Sequence, residues 1–312
     1  MNLYSPGFPI NQSIFLVNIE TYIAEKKVFI EDWLGLHVPS EDLSPSSLYR
    51  AMRYSLLAKS KRIRPILALA VTESLGGNIE QALPFACGLE LIHTYSLVHD
   101  DLPAMDNDDV RRGQPSNHKV FGEAMAILAG DALLTHAFFL MISPQIVSDL
   151  SPDLVLRIIH EISKAAGTQG MISGQVMDME CEGQTISLSR LETMHSCKTG
   201  AMILAAIRVG GLVAGVSAEQ MENLGQYGRH IGLAFQIIDD VLDIEGQPEL
   251  LGKTIGKDRT AQKATFPLVL GVEESKKLAH QHYVQGVKAL EGFGERVEIL
   301  RDLAKFIIFR KF

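Results

Sequence analysis

The stretch HDDLPAMDNDDVRRG, His99 to Gly113, carries five aspartates in ten residues (Asp100, Asp101, Asp106, Asp108 and Asp109) and then turns positive at Arg111 and Arg112. A second acidic group, Asp239, Asp240 and Asp243, lies in FQIIDDVLDIEG. Carboxylate oxygens are the preferred ligands of hard divalent cations, and Mg²⁺ typically keeps several waters while bridging one or two carboxylates to a substrate phosphate. A hydrated acidic loop is the alternative for either group alone, because Asp, Asn and Pro favour turns and exposed carboxylates are readily solvated. At about 100° per residue, Gln236, Asp239, Asp240 and Asp243 are expected to share one helical stripe, with Ile237, Ile238, Val241 and Leu242 facing inward. Like charges so placed oppose a helix unless a cation neutralises them. His93, Leu97, Asp100 and Asp101 are expected to line one face of an earlier helix, so that Asp100 and Asp101 project together from its end. Pro103 then breaks the helical ladder and lets the loop bring Asp106 back. Asn107, Asp108 and Asp109 read as plain loop residues.

Basic side chains accompany both groups: Lys61 and Arg64 in SKRIRP, Lys198 in HSCKTGA, and Lys253, Lys257 and Lys263 beyond the second acidic group. Arg matches phosphate bidentately and Lys supplies a compact point charge. Any one of them is ordinarily a solvated surface charge, and only their joint placement with the aspartates points to a Mg²⁺-bound diphosphate.

Helices must position these groups. Apolar residues recur at three- and four-residue spacing, while alternating β-branched runs are scarce, so the pattern predicts an all-α fold. Helices are expected at 12–36, 46–59, 64–76, 79–102, 122–143, 151–166, 169–182, 188–215, 218–246, 263–272, 274–290 and 293–309. No linker-like tract or short repeat divides the 312 residues, which read as a single domain, 1–312, with an N-terminal arm at about 1–11. With 29 Lys+Arg against 37 Asp+Glu, the formal charge of −8 argues against general nucleic-acid binding. Cys87, Cys181 and Cys197 form neither a disulfide framework nor a zinc pattern, which fits a reducing cytoplasm. The N-terminus lacks the features of a signal peptide. The apolar run Ala124 to Ile142 is interrupted by Gly130, Asp131 and His136 and is expected to be a buried helix rather than a membrane span.

The motifs ELIHTYSLVHDDLPAMDNDDVRRG, GLAFQIIDDVLDIEG, SKRIRP, GQVMDME, HSCKTGA and GKTIGKD occur in the order seen in short-chain trans-prenyltransferases, the polyprenyl diphosphate synthases. The resemblance runs from about Ile14 to the C-terminus. It implies an isoprenoid-synthase helical bundle around a central cavity. Lys61, Arg64, His93 and Arg112 would hold isopentenyl diphosphate, the homoallylic acceptor. Arg111, Lys198, Lys253 and Lys263 would hold the allylic diphosphate. Asp100, Asp106 and Asp239 would be the main Mg²⁺ ligands, supported by Asp101, Asp240 and Asp243. Thr199, Gln236 and the Lys198 carbonyl would face the developing carbocation. Ser60 stands where the family's first basic motif often has glycine. The resemblance also implies a homodimer, with the helix at 122–143 able to supply the interface.

Residues just before the first aspartate motif limit product length in this family. Tyr95, with Ser96 beside it, resembles the aromatic floor of bacterial farnesyl diphosphate synthases; an ordinary core tyrosine and a geranylgeranyl product are the alternatives. Glu90–His93 and Glu192–His195 are two Glu-x-x-His units, which in a ferritin-like bundle would hold two irons. That reading leaves both aspartate groups and the basic motifs without a purpose. A terpene cyclase is disfavoured because DDVLD lacks the mixed Asn/Asp, Ser/Thr and Glu of its second metal motif. A non-catalytic partner subunit is disfavoured because such subunits tend to lose the aspartates kept here.

Overall fold

The structure is a computed structural model that describes residues 18–245 and 263–309. The N-terminal arm and the first residues of the expected 12–36 helix lie outside the described residues, as do Lys253 and Lys257. The helices are α1 (Ile19–His37), α2 (Ser46–Leu56), α3 (Ile63–Ser74), α4 (Ile79–Asp100), α5 (Asn117–Phe121), α6 (Glu123–Met141), α7 (Pro152–Ala166), α8 (Met171–Cys181) and α9 (Leu188–His195). A π turn (Ser196–Gly200) leads into α10 (Ala201–Val213) and α11 (Ala218–Glu245). Then come α12 (Phe266–Leu270), α13 (Val272–Lys288), a 3₁₀ turn (Glu291–Val297) and α14 (Glu298–Phe309). Among the described residues the strands are β1 (Val110–Arg111) and β2 (Gln114–Pro115), an antiparallel hairpin between α4 and α5. The molecule is all-α.

Helix α3 lies at the centre, where Ile66 to Val71 are fully buried in one unbroken run. A helix apolar on every side must be surrounded by others, and α3 packs against both α4 and α10. Helix α4 also meets α6, α10 meets α11, and α11 meets α13. The two aspartate-bearing helices, α4 and α11, thus flank one core. Glu123–Met141 and Leu188–Val213 are long and apolar enough to cross a membrane, but α6 packs on α4, and α10 on α3.

Helix ends follow local chemistry. Asn18 and Asn78 cap α1 and α4, each side-chain oxygen accepting a backbone N–H at 2.8 Å. The expected 263–272 helix starts only at Phe266, with Thr265 as its cap and Pro267 in its first turn. Near the C-terminus, Gly294 at φ 69° interrupts the expected 293–309 helix, and α14 begins at Glu298.

The main departure falls inside the expected 188–215 helix. The π turn at Ser196–Gly200 inserts a wider loop of backbone there, a distortion frequent at functional sites. Two glycines on neighbouring helices admit it. A Cβ at Gly174 of α8 would lie 2.2 Å from the Lys198 nitrogen, and one at Gly232 of α11 would lie 3.0 Å from the Gly200 Cα. Gly174→Ala is therefore expected to destabilise the protein by about 1–3 kcal/mol, the usual cost of overpacking. It should also depress turnover more than Gly35→Ala, where a Cβ meets nothing within 4 Å. Thermal unfolding and initial rates of the two variants check this.

Candidate active site

Helix α4 ends in Asp100, and the following loop folds back on it. The Asp106 N–H donates to the Asp100 carbonyl at 2.8 Å, and the Asp108 N–H donates to the Asp101 carbonyl at 3.2 Å. Asn107 takes a left-handed φ of 49° to close this reversal. The structure therefore brings Asp106 beside Asp100. It does not keep Asp100 and Asp101 on one face. Asp101 is buried and turned to the hairpin, where Arg111 Nε donates to its Oδ1 at 2.9 Å and Asp108 lies 3.5 Å from the same guanidinium. Adjacent positions on a helix are about 100° apart, and Arg111 draws the second carboxylate away. Arg111 itself, assigned above to the allylic diphosphate, is held in this ion pair.

Asp100 faces cations instead. Burial pushes its carboxyl up to about 6; Asp106 adds to the rise, while Lys198, Arg111 and Lys263 oppose it. Lys263, just before α12, places Nζ 2.9 Å from Asp106 Oδ1. Lys198 on the π turn lies 2.6 Å from Asp178 Oδ2 on α8. Burial alone would raise the Asp178 carboxyl, but Lys198, Lys263 and His195 outweigh it. Asp178 was given no role from sequence, although GQVMDME supplied a signal. Gly174 lets α8 touch the turn, and the residue one helical turn later reaches its lysine.

The second aspartate stripe also divides. Asp239 and Asp243 are half-buried on α11, whereas Asp240 is 4 % exposed and points into the core. Asp240 Oδ2 accepts the Phe266 N–H at 3.0 Å, and its Oδ1 accepts Gln236 Nε2 at 2.8 Å. Gln236 Oε1 in turn accepts the Thr199 hydroxyl at 2.8 Å. Asp240 thus pins α12 to α11 and fixes the Gln236 amide against Thr199, in place of the stripe position expected for it. Ile237, Ile238 and Val241 are buried as expected, and Leu242 packs against the same core while staying half-buried. His195 stacks on Phe266, and burial lowers its imidazole to about 4, so it is neutral at physiological pH.

A third group of charges lies on the other side of Asp100. Arg62 is fully buried with a left-handed φ of 50°, and it donates to Glu90 at 2.8 Å and to the Leu56 carbonyl at 2.6 Å. Neither Arg62 nor Glu90 was singled out as an ion-pair partner from sequence; the signal was Glu90, a lone charge within the apolar run of α4. Arg112 heads the two-residue turn of the hairpin, where φ is 55°, followed by Gly113 at φ 79°. The hairpin is tied to the end of α2: Asn117 Nδ2 donates to the Ala51 carbonyl and Ser55 Oγ, each at 2.8 Å, and the Tyr54 hydroxyl to the Pro115 carbonyl at 2.8 Å. Burial lowers the Arg64 guanidinium, while Glu90 and Asp239 counteract this, so Arg64 senses both walls of the site. Burial also pushes His93 well below the ordinary histidine value, and Arg64, Arg112, Arg111 and Arg62 push the same way. His93 is a neutral donor beside this cluster. Lys61 is exposed at the start of α3.

Tyr95 is buried on α4 with its ring edge-on to His99, centroids 5.7 Å apart. His99 donates Nε2–H to the Ile127 carbonyl of α6 at 3.0 Å, over Gly130, where a Cβ would fall 2.1 Å from the imidazole. The Ser96 hydroxyl turns back to the His93 carbonyl at 2.9 Å.

Among the described residues, no three His, Cys, Asp or Glu side chains converge closely enough to hold a metal ion alone. The di-iron reading fails on Glu90, which is committed to Arg62. Lys263 Nζ puts a positive charge against Asp106, one of the carboxylates expected to hold Mg²⁺.

Residues 45–298 match the family described as polyprenyl synthetase. The chain belongs to that family. It is 48 % identical over 263 residues to a farnesyl diphosphate synthase of Geobacillus stearothermophilus, covering 84 % of this chain and 87 % of the relative. It is 46 % identical over 294 residues to a geranylgeranyl diphosphate synthase of Cyanophora paradoxa, covering 94 % and 97 %. A Helicobacter pylori geranyltransferase solved with magnesium and isoprenyl diphosphate superposes with TM-score 0.81 at 30 % identity, covering 95 % of this chain and 98 % of that one. As a member of that family it is a prenyltransferase.

The raised Asp100 carboxyl sets a sign. Folding favours its protonated form, so the ionised carboxylate costs stability above about pH 6, and this cost vanishes as pH falls toward the ordinary value of 3.8. Asp100→Asn is expected to unfold a few degrees higher than the wild type at pH 8, with the gap closing near pH 4, while Mg²⁺-dependent turnover is lost. Melting curves across pH, with rates at saturating Mg²⁺, check both halves.

Proposed function

We propose that this enzyme condenses isopentenyl diphosphate with dimethylallyl and then geranyl diphosphate, head to tail, to give farnesyl diphosphate. In each round the allylic C–O bond ionises, the acceptor double bond attacks the cation, and a proton is lost to the departing diphosphate. The observation that carries this reading is the convergence of Asp100, Asp106, Lys198 and Lys263 between the end of α4, the π turn and the start of α12, with Arg64, Arg112 and His93 grouped beside it.

Asp100, Asp106 and Asp239 would hold Mg²⁺, as a cluster of three ions once substrate is bound, with Asp243 supporting them. When bound, the metal neutralises the leaving diphosphate and draws charge from the allylic oxygen. Lys198 and Lys263 leave their carboxylate partners to meet the same diphosphate, joined by Lys253, and Arg111 steadies Asp101 beside it. The Thr199 hydroxyl and the Gln236 amide, oriented by Asp240, present fixed dipoles to the developing cation. Lys61, Arg64, His93 and Arg112 receive the acceptor diphosphate. The apolar helices around the cleft keep water from the cation.

Tyr95, buried below Asp100 on α4, supports a floor that stops growth at farnesyl. A single catalytic domain, working as a cytoplasmic homodimer, completes the proposal. It is supported by Leu128, Phe139 and Ile142, which share one exposed face at α6, and by buried free thiols at Cys87 and Cys181.

Purified protein incubated with Mg²⁺, labelled isopentenyl diphosphate and each of dimethylallyl, geranyl and farnesyl diphosphate is expected to yield farnesyl diphosphate from the first two and to leave the third largely unextended. Tyr95→Ala should shift the main product to geranylgeranyl diphosphate or longer. Efficient extension of farnesyl diphosphate by the wild type would overturn the product assignment.

A further inference from the structure

Glu90 is a carboxylate where an anionic substrate is to bind. It is 1 % exposed, on α4, one helical turn before His93. An acidic group beside a diphosphate repels it, and a buried carboxylate is costly without partners, so its presence needs a reason. Its surroundings supply one. Arg62 Nη1 lies 2.8 Å from Glu90 Oε1, the Ser60 hydroxyl donates to that oxygen at 3.2 Å, and Arg112 Nη2 lies 4.0 Å from it. Arg64 adds its charge from α3. Burial alone would raise the Glu90 carboxyl, yet Arg62, Arg112 and Arg64 pull it below its ordinary value, so it is ionised.

These guanidinium groups come from two places far apart in sequence, the start of α3 and the tip of the hairpin. They repel each other, and a central carboxylate lets them share a small volume. The partners are not equivalent. Arg62 spends its other donors on the Leu56 and Ala58 carbonyls and on Glu31 at 3.3 Å, so it is fixed inside the protein. Arg112 is held more loosely, with Nη2 4.0 Å from Glu90 and Nη1 donating to the Ser55 carbonyl at 3.5 Å, so a ligand can draw its guanidinium away. Glu90 and Glu31 against Arg62, Arg64 and Arg112, two negative charges to three positive ones, leave the cluster net cationic.

We propose that Glu90 is a positioning residue of the acceptor site: anchored by Arg62, it holds Arg112 of the hairpin and Arg64 of α3 together, so that one homoallylic diphosphate meets both. This rests on the acceptor reading given above. Glu90 touches neither substrate and acts through Arg112 and Arg64.

Glu90→Gln tests it, because the amide keeps the shape and an oxygen for Arg62 but removes the charge that steers Arg112. With geranyl diphosphate saturating, KM for isopentenyl diphosphate is expected to rise about 10-fold or more, the scale of one lost charge-assisted contact. KM for geranyl diphosphate should stay within about 2-fold, since a charge acting only on the acceptor cluster leaves the allylic side unchanged. In an Arg112→Ala background the same substitution should add little further loss, because coupled residues are not additive. An unchanged KM for isopentenyl diphosphate, an equal rise for both substrates, or full additivity with Arg112→Ala would overturn the proposal. If E90Q does not fold, Glu90→Asp carries the test, with the same split expected at about 3-fold or more from the withdrawn charge; no split there counts against it. Wild-type protein that does not turn over isopentenyl diphosphate would instead sink the acceptor reading itself.

Discussion

Asp100 and Asp106 at the end of α4, with Asp239 of α11 close enough to act on Arg64, bring negative charge to one partly desolvated site. The elements around it are arranged to bear that charge. Lys263 is drawn onto Asp106, Lys198 is held within reach of Asp100, and Arg111 takes Asp101 out of the cleft altogether. The Asp100 carboxyl still lies near 6, so these protein cations do not fully offset its burial. A site in that condition favours further positive charge, which in the proposed mechanism Mg²⁺ would supply while its diphosphate gave the lysines an anionic partner.

Two buried polar chains hold the geometry while these charges exchange partners. Thr199, Gln236 and Asp240 run from the π turn through α11 to the first turn of α12. Arg62 and Glu90 join the start of α3 to the middle of α4. Both chains are nearly closed, which buried polar groups require. In the proposed mechanism the first chain orients groups toward the reacting carbon and the second gathers guanidiniums for the acceptor diphosphate.

The sequence made the all-α class, the helices that carry the site and the pairing of two aspartate groups legible, because periodicity and like-charge crowding are local signals. Other features depended on neighbours that no window contains. The π turn hides in a continuous apolar pattern and is explained only by Gly174 and Gly232 on other helices. The hairpin's two-residue strands are too short to show alternation, and its turn is Arg112–Gly113 rather than Asn-Gly. Asp240 differs from Asp239 only because the Phe266 N–H lies beside it. Glu90 was visible as a charge in an apolar run, but its partner lies 28 positions away.

The central claim is that the two aspartate groups bind one diphosphate through shared Mg²⁺. Calorimetric titration of inorganic diphosphate into the protein, with Mg²⁺ and then with a chelator in its place, tests this most directly, together with Asp239→Asn. Binding should require Mg²⁺, and the variant should lose about 10-fold or more in affinity, the equivalent of about 1.4 kcal/mol. Equal affinity in chelator, or an Asp239→Asn variant that binds like the wild type, would contradict it.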